Sequence, residues 1–410
     1  MTFYPPDDLT PRGREEPRPD EPPAGEVPTE GEAPRRGRAR ERIERRHQKP
    51  SPGHQPAARG RRMRSQIAPS DRFKLPEIKL PFGRPILYGV GSILLVIIVV
   101  VILGRLREGE RPLPPNALWV GTNWTYQTHS DEDIQRFIRH LREHEIGTVY
   151  AWVSWLQADQ TWRGVDNFEN VKAFVRQFKQ FYPESRLFGW VSFPVDFGPG
   201  TYRMDDETIQ QAVADFSSRV IDEFGFDGVF LNIEPVWDGD QNFLSLLRRV
   251  RAVLGTATPI SVAIPPDWSP LGVDIPVPPL IVPGTEWATQ YKQSVALLVD
   301  EMAVMAYNSG LSRPEDYSAW VAYQVQAFAQ PIAALGGGTA VVIGIPTYDA
   351  EPPGHDPLVE NVTSAAEGVR AGLAAAGDAA AFVSGVAIYA DWTTDDDEWA
   401  AFRRDWLGRR

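Results

Sequence analysis

The chain has 410 residues and a formal charge of −12 at pH 7, but charge is spread unevenly along it. It contains no cysteine, which excludes disulfides and thiolate metal sites. Of its 42 basic and 54 acidic residues, 19 and 13 fall within residues 1–84; the 23 and 41 that follow leave about −18, which excludes nucleic acid or another polyanion as the ligand of that part.

Residues 1–84 are rich in Pro, Arg, Glu and Gly and show almost no apolar periodicity. Such a segment cannot bury enough surface to offset chain entropy, so it is predicted to be a disordered tail. Its basic half, with RRGRARERIERRHQK and RGRRMR, suits anionic lipid or serves only as a topology signal. The next stretch, PILYGVGSILLVIIVVVILG (85–104), carries no charge. At ~1.5 Å per residue it spans a hydrocarbon core of ~30 Å, which predicts one transmembrane helix and membrane lipid as a partner. Sixteen Lys/Arg against four acids lie between Arg35 and Arg84, so the tail is expected inside and the C-terminal part outside. An exported chain without disulfides fits a bacterial envelope. A linker, 105–116, ends in RPLPPN.

Residues 117–410 are long enough for one large domain. Eight near-continuously apolar runs alternate with amphipathic stretches: ALWVGTNW (117–124), TVYAWVSW (148–155), RLFGWVSF (186–193), GVFLNIEP (228–235), PISVAIPP (259–266), EMAVMAYN (301–308), AVVIGIPTYD (340–349) and GVAIYADW (385–392). Runs of this kind suit parallel strands buried on both faces. Between them, SDEDIQRFIRHLREHE (130–145) opens with a Ser cap and puts Ile134, Ile138 and Leu141 on one face. DDETIQQAVADFSSRVIDEFG (205–225) ends in Gly, a usual helix stop. NFLSLLRRVRAVLG (242–255) and DEWAAFRRDWLGRR (397–410) read as helices too. Eight strand–helix pairs predict an α/β fold, a (β/α)8 barrel. The rival, a doubly wound open sheet, would often carry a Gly-rich phosphate loop after its first strand, and none is present there.

A barrel keeps its chemistry at the C-terminal ends of its strands. Those ends are aromatic and polar here: Trp124, Trp155, Phe193 with Asp196, Glu234 with Trp237, Asp267 with Trp268, Tyr307 with Asn308, Tyr348 with Asp349, and Asp391 with Trp392. Rings alternating with carboxylates and amides suit sugars, whose C–H faces stack while their hydroxyls hydrogen-bond. Rings that merely plug the rim are the plainer account of any single one. In FDGVFLNIEP, Phe230, Asn232 and Glu234 share one face of a strand. A carboxyl group at an aromatic mouth favours its protonated form, which makes Glu234 the candidate general acid.

FDGVFLNIE, followed by MAYN and a last strand ending in Trp, resembles glycoside hydrolase family 18, the chitinases and endo-N-acetylglucosaminidases. That family carries D-G-x-D-x-D-x-E on its fourth strand and M-x-Y-D on its sixth. The resemblance implies that Asp227 and Gly228 match the opening pair and Glu234 the catalytic acid. It also matches Met305 and Tyr307 to the sixth-strand motif and Trp392 to the floor of the sugar site. Phe230, Asn232 and Asn308 stand where the family has Asp. Glycoside hydrolase family 85 is similar in pairing an Asn with a Glu, so Asn232 beside Glu234 is compatible with attack by the substrate's own 2-acetamido group.

The sequence is therefore read as a membrane-anchored hydrolase of an N-acetylhexosamine glycan, with Glu234, Asn232 and Tyr307 as catalytic residues. Trp124, Trp155, Trp268, Asn308, Tyr348, Asp349, Asp391 and Trp392 are its candidate substrate contacts. The alternative is a non-catalytic, lectin-like barrel, motivated by the lost acids; a scaffold for envelope assembly ranks third. In a two-carboxylate route, Asp267, Asp349 or Asp391 partners Glu234. No cofactor and no metal site is expected. The spacing of His140 and His144 reads as a solvated helix face, and Asp395–Glu398 as an acidic helix start.

Overall fold

Strand parity decides how this domain is built. In the computed structural model, which describes residues 113–198, 200–270, 274–282, 286–348 and 355–409, alternate strand residues fall into two separate cores. Trp119, Tyr150, Trp152, Phe188, Trp190 and Phe230 point inward and pack on one another. Their neighbours Leu118, Val120, Val149, Ala151, Val229 and Leu231 point outward, beneath the helices. A strand buried on both faces needs apolar residues at both parities, which is why the runs read as continuous.

The strands are β1 (Asn116–Val120), β2 (Ile146–Trp155), β3 (Arg186–Pro194), β4 (Gly228–Glu234), β5 (Ile260–Ile264), β6 (Glu301–Val304), β7 (Ala340–Pro346) and β8 (Val383–Tyr389). They pair in parallel, in sequence order, and β8 closes on β1 through Ala117↔Ala387 and Leu118↔Ile388. Register sets Trp190 beside Phe230, Ser192 beside Asn232 and Pro194 beside Glu234. The domain is a (β/α)8 barrel. The predicted tail and the span 85–104 lie outside the described residues, and among the described residues no helix is long and apolar enough to cross a membrane.

Helices follow the strands: α1 (Thr122–Thr125), α2 (Asp131–Glu143), α3 (Phe168–Phe181), α4 (Glu207–Asp222), α5 (Gln241–Leu254), α6 (Thr289–Ala296), α7 (Pro314–Leu335), α8 (Val362–Ala376) and α9 (Asp396–Ala401). Ser130 and Asp133 form a capping box on α2, which buries Ile134, Phe137, Ile138 and Leu141. Asp395 and Glu398 form another on α9, so the acidic run is a helix start. Gly228 opens β4 because a Cβ there would stand 2.6 Å from both the Phe188 ring and the Pro259 carbonyl.

One expectation changes. The face of α2 bearing His140 and His144 is not solvated: the C-terminal helix covers it, and His144 is buried against the Trp399 ring at 4.4 Å. His144 Nδ1 lies 2.8 Å from the His140 carbonyl, and Arg403 approaches its Nε2 at 2.7 Å. Burial, first of all, holds His140 down at about 4, with the His144 and Arg403 charges adding to it. Asp227 lies at the foot of the barrel, paired with Lys179 and accepting the Leu187 N–H at 2.9 Å, and so ties β3 to β4.

Candidate active site

The C-terminal mouth opens into a cavity of about 260 Å³. Trp119, Trp190, Phe230 and Tyr389 form its aromatic floor. Val236, Pro265, Pro266, Leu280, Ile281, Val282 and Met305 form an aliphatic wall. Asn232, Glu234, Tyr307 and Asn308 line it too, and with the phenol of Tyr389 they are the polar side chains among its described lining residues. At just under the ~300 Å³ of the smallest ordinary ligand pockets, it has room for about one sugar ring.

The floor is held by ring geometry. Phe230 stands edge-on to Trp119 (5.7 Å between centroids, 82°) and to Trp190 (6.3 Å, 90°), and packs on Tyr150 below at 4.3 Å. Tyr307 stacks on Tyr389 at 5.4 Å and 24°. Such pairs add ~0.5–1.5 kcal/mol beyond their buried area. The site's shape is thus built into the barrel core and does not depend on the loops alone.

Glu234 closes β4, partly exposed, with its carbonyl accepting the Val195 N–H at 2.8 Å. Asn232, two residues earlier on the same face, is 5% exposed, and its Oδ1 is buried without a hydrogen-bond partner among the described residues. Among the described residues the Oδ1 of Asn308 is buried and unpartnered as well. Asn308 itself sits at φ 60°, a left-handed conformation that Asn tolerates better than most residues. Burial lifts the Tyr307 hydroxyl well above the ordinary tyrosine range, and the fields of Tyr389, Tyr348 and Glu234 push the same way. Tyr307 therefore keeps its proton and acts as a donor. Two bare acceptors, a phenol donor and a carboxyl group converge on one small apolar cup. Among the described residues lining it, Glu234 is the one acid, and no Lys or Arg is present.

The other sequence candidates fall around the cavity rather than on it. β1 stops at Val120, and Trp124 belongs to α1; its ring stacks on Phe137 at 4.2 Å and its Nε1–H donates to Asp391 at 2.7 Å. Asn123 donates to the same oxygen at 3.1 Å. Burial raises Asp391 above the usual carboxylate range, and these two bonds partly offset the rise. Trp392 stacks on Trp190 at 6.3 Å and 19° and meets Tyr389 edge-on at 5.5 Å. Tyr348 meets the Tyr307 ring edge-on at 6.1 Å, and Trp155 lies 6.2 Å from Phe197. Trp268 is half-buried beyond β5, which Pro265 and Pro266 bring to a stop. Asp267 is buried and paired with Lys292, so it does not partner Glu234; burial outweighs that ion and pushes its carboxyl up to about 6. Asp349 lies outside the described residues.

Trp119, Trp190 and Tyr389 line the cavity although they were not singled out in the sequence. The signal was available, because each has the inward parity of its strand. Nothing in the sequence marks Leu280–Val282 or Glu360.

An eight-stranded α/β barrel with an aromatic cup at its C-terminal mouth is thus the class of protein that fold and site define. No protein-family model matches the chain, and no curated protein matches it. Solved structures do. A class V chitinase from Pseudomonas fluorescens is 15% identical over 71% of this chain and 98% of its own, with a TM-score of 0.46. A family 18 chitinase from Cycas revoluta is 13% identical over 71% and 98%, at 0.47. The spore cortex-lytic enzyme of Bacillus cereus is 11% identical over 71% and 74%, at 0.45.

Proposed function

We propose that this protein is a glycoside hydrolase of N-acetylhexosamine glycans, tethered to the membrane by residues 85–104, with its barrel on the outer side. The supporting observation is the juxtaposition in one cup of Glu234, the bare Asn232 Oδ1 and the Tyr307 hydroxyl. Asn232 Oδ1 accepts the acetamido N–H of the bound sugar, and Tyr307 donates to its carbonyl oxygen. So oriented, that oxygen attacks the anomeric carbon. Protonated Glu234 gives its proton to the glycosidic oxygen, the C–O bond breaks, and the leaving sugar departs with the bonding pair. A cyclic oxazolinium forms on the sugar; water then gives a proton to Glu234, adds to the anomeric carbon and reopens the ring. The configuration is retained.

A route through two carboxylates needs a second acid ~5–9.5 Å from the first. Of its three candidates, Asp267 is paired with Lys292, Asp391 accepts from Asn123 and Trp124, and Asp349 lies outside the described residues. Phe230 favours a second reading, in which the cup binds sugar without cleaving it, since it fills the position of an acid that relays charge in the family with an aromatic ring.

Glu234→Gln separates the two. Release of reducing ends from chitin oligomers and peptidoglycan is expected to fall by ~10²–10⁴, the usual worth of a general acid. Equal rates in both proteins remove the hydrolase. Saturable binding without turnover in the unaltered protein selects the lectin.

A further inference from the structure

One buried carboxylate near the cavity has no part in the chemistry above. Glu360, just before α8, has a side chain with 0% exposure. Its Oε1 accepts from the Ser309 N–H at 2.8 Å, the Gly310 N–H at 3.1 Å and the Ser309 hydroxyl at 2.5 Å. Its Oε2 accepts from the Asn308 N–H at 2.6 Å and faces His355 Nδ1 at 3.3 Å. The other nitrogen of His355 lies 2.8 Å from the Tyr348 carbonyl. Both ring nitrogens of His355 thus face oxygen atoms, which ties the segment before α8 to the end of β7.

Three successive amides converging on one anion make a nest, which is usually an anion-binding site. Here the chain supplies the anion itself. The nest requires the left-handed φ of Asn308 (60°) and of Gly310 (72°), and Asn308 is the residue whose unpartnered Oδ1 lines the cavity. The same turn carries the aliphatic wall: the Leu280 N–H donates to the Ser309 carbonyl at 3.0 Å, and a Cβ on Gly310 would stand 2.6 Å from Leu280 Cγ. One carboxylate therefore sets both the polar and the apolar side of the cup.

We propose that Glu360 is a positioning residue of this site, holding the Asn308–Gly310 turn so that the Asn308 amide is presented to the ligand and Leu280 is seated against it. The geometry stands alone; the effect on a sugar ligand rests on the functional reading above.

The test uses the full chain in detergent and four proteins: unaltered, Glu360→Gln, Asn308→Ala and the double variant. Gln keeps an oxygen for Ser309 and Gly310 but loses the Asn308 bond. Hydrogen exchange followed by mass spectrometry is expected to quicken at least tenfold at residues 308–310 in Glu360→Gln, with the strands still protected. For chitotetraose, kcat/KM is expected to fall about tenfold in each single variant, mostly through KM, and no further in the double, since one residue acts through the other. Unchanged exchange at 308–310, or losses that multiply in the double variant, overturn the proposal. If the unaltered protein neither binds nor cleaves chitotetraose, the hydrolase reading fails, and exchange alone decides whether Glu360 holds the turn.

Discussion

Two buried polar clusters share the inside of this barrel, and they are built on opposite terms. At the N-terminal end, Glu301 accepts from the Tyr150 hydroxyl and from Ser261 Oγ at 2.7 Å, all three residues being buried. At the C-terminal end, the Oδ1 atoms of Asn232 and Asn308 are buried without a partner among the described residues. A buried acceptor without a partner costs ~1–3 kcal/mol. The lower cluster is closed over by Phe230, which packs on Tyr150; the upper one opens into the cavity. Of these two clusters, the one facing the core is satisfied within it, whereas the two acceptors facing the cavity are open to the N–H or O–H groups of the ligand proposed above.

The sharpest way to break this division is to put charge where the two regions meet. Phe230→Asp introduces an acid at the centre of the floor, among Trp119, Tyr150 and Trp190. Removing a buried Phe already costs ~3–5 kcal/mol, and an unpaired buried charge adds to that. The variant is expected to lose most of its stability in urea titration, more at pH 8 than at pH 5, and to gain no activity. A stable, faster enzyme would mean that floor and foot communicate after all.

Asn232→Leu probes the upper cluster with a smaller effect. It deletes the bare acceptor while keeping the shape, so unfolding free energy is expected to rise, by up to the ~1–3 kcal/mol that the acceptor costs. Calorimetric affinity for chitotetraose is expected to weaken by ~1–3 kcal/mol, roughly five- to 150-fold, through loss of the acetamido contact. De-N-acetylated oligomers should not distinguish the two proteins. A destabilised variant of unaltered affinity would make Asn232 a structural residue.

Much of the fold was legible because the barrel repeats one instruction eight times, an apolar run and then an amphipathic one. Parity along β4 also placed Phe230, Asn232 and Glu234 together, and they do line one cavity. Being last in a strand fixes a residue's height in the barrel but not its direction. Trp124 and Asp391 turn toward each other beside the mouth, and Trp392 stacks on Trp190, because each lies past its strand, where the loop sets the heading. Glu360 was not legible at all. Its role depends on amides that a turn 50 to 52 residues earlier brings to it. His144 likewise looks solvated until the C-terminal helix covers it.

The foot of the barrel calls for a quieter test. Burial raises the Glu301 carboxyl above its ordinary range, and its bonds from Tyr150 and Ser261 only partly offset the rise. A folded value above the unfolded one means that the native state holds this proton to higher pH than the unfolded chain does. The stability it contributes is complete below the ordinary carboxyl range of ~4.3 and is lost as pH rises through the folded value. Glu301→Gln keeps an oxygen for Tyr150 and Ser261 and removes the titration. Melting temperatures of the two proteins should therefore coincide near pH 4, and the variant should draw ahead as pH is raised toward 8, by ~2–4 °C for each kcal/mol involved. Chitotetraose cleavage should not change at any pH, because Phe230 and Tyr150 stand between this carboxyl group and the cup. A gap that does not vary with pH would show that Glu301 ionises as an exposed acid does. The lower cluster would then be as open as the upper, and the division between fold and site inside this barrel would be lost.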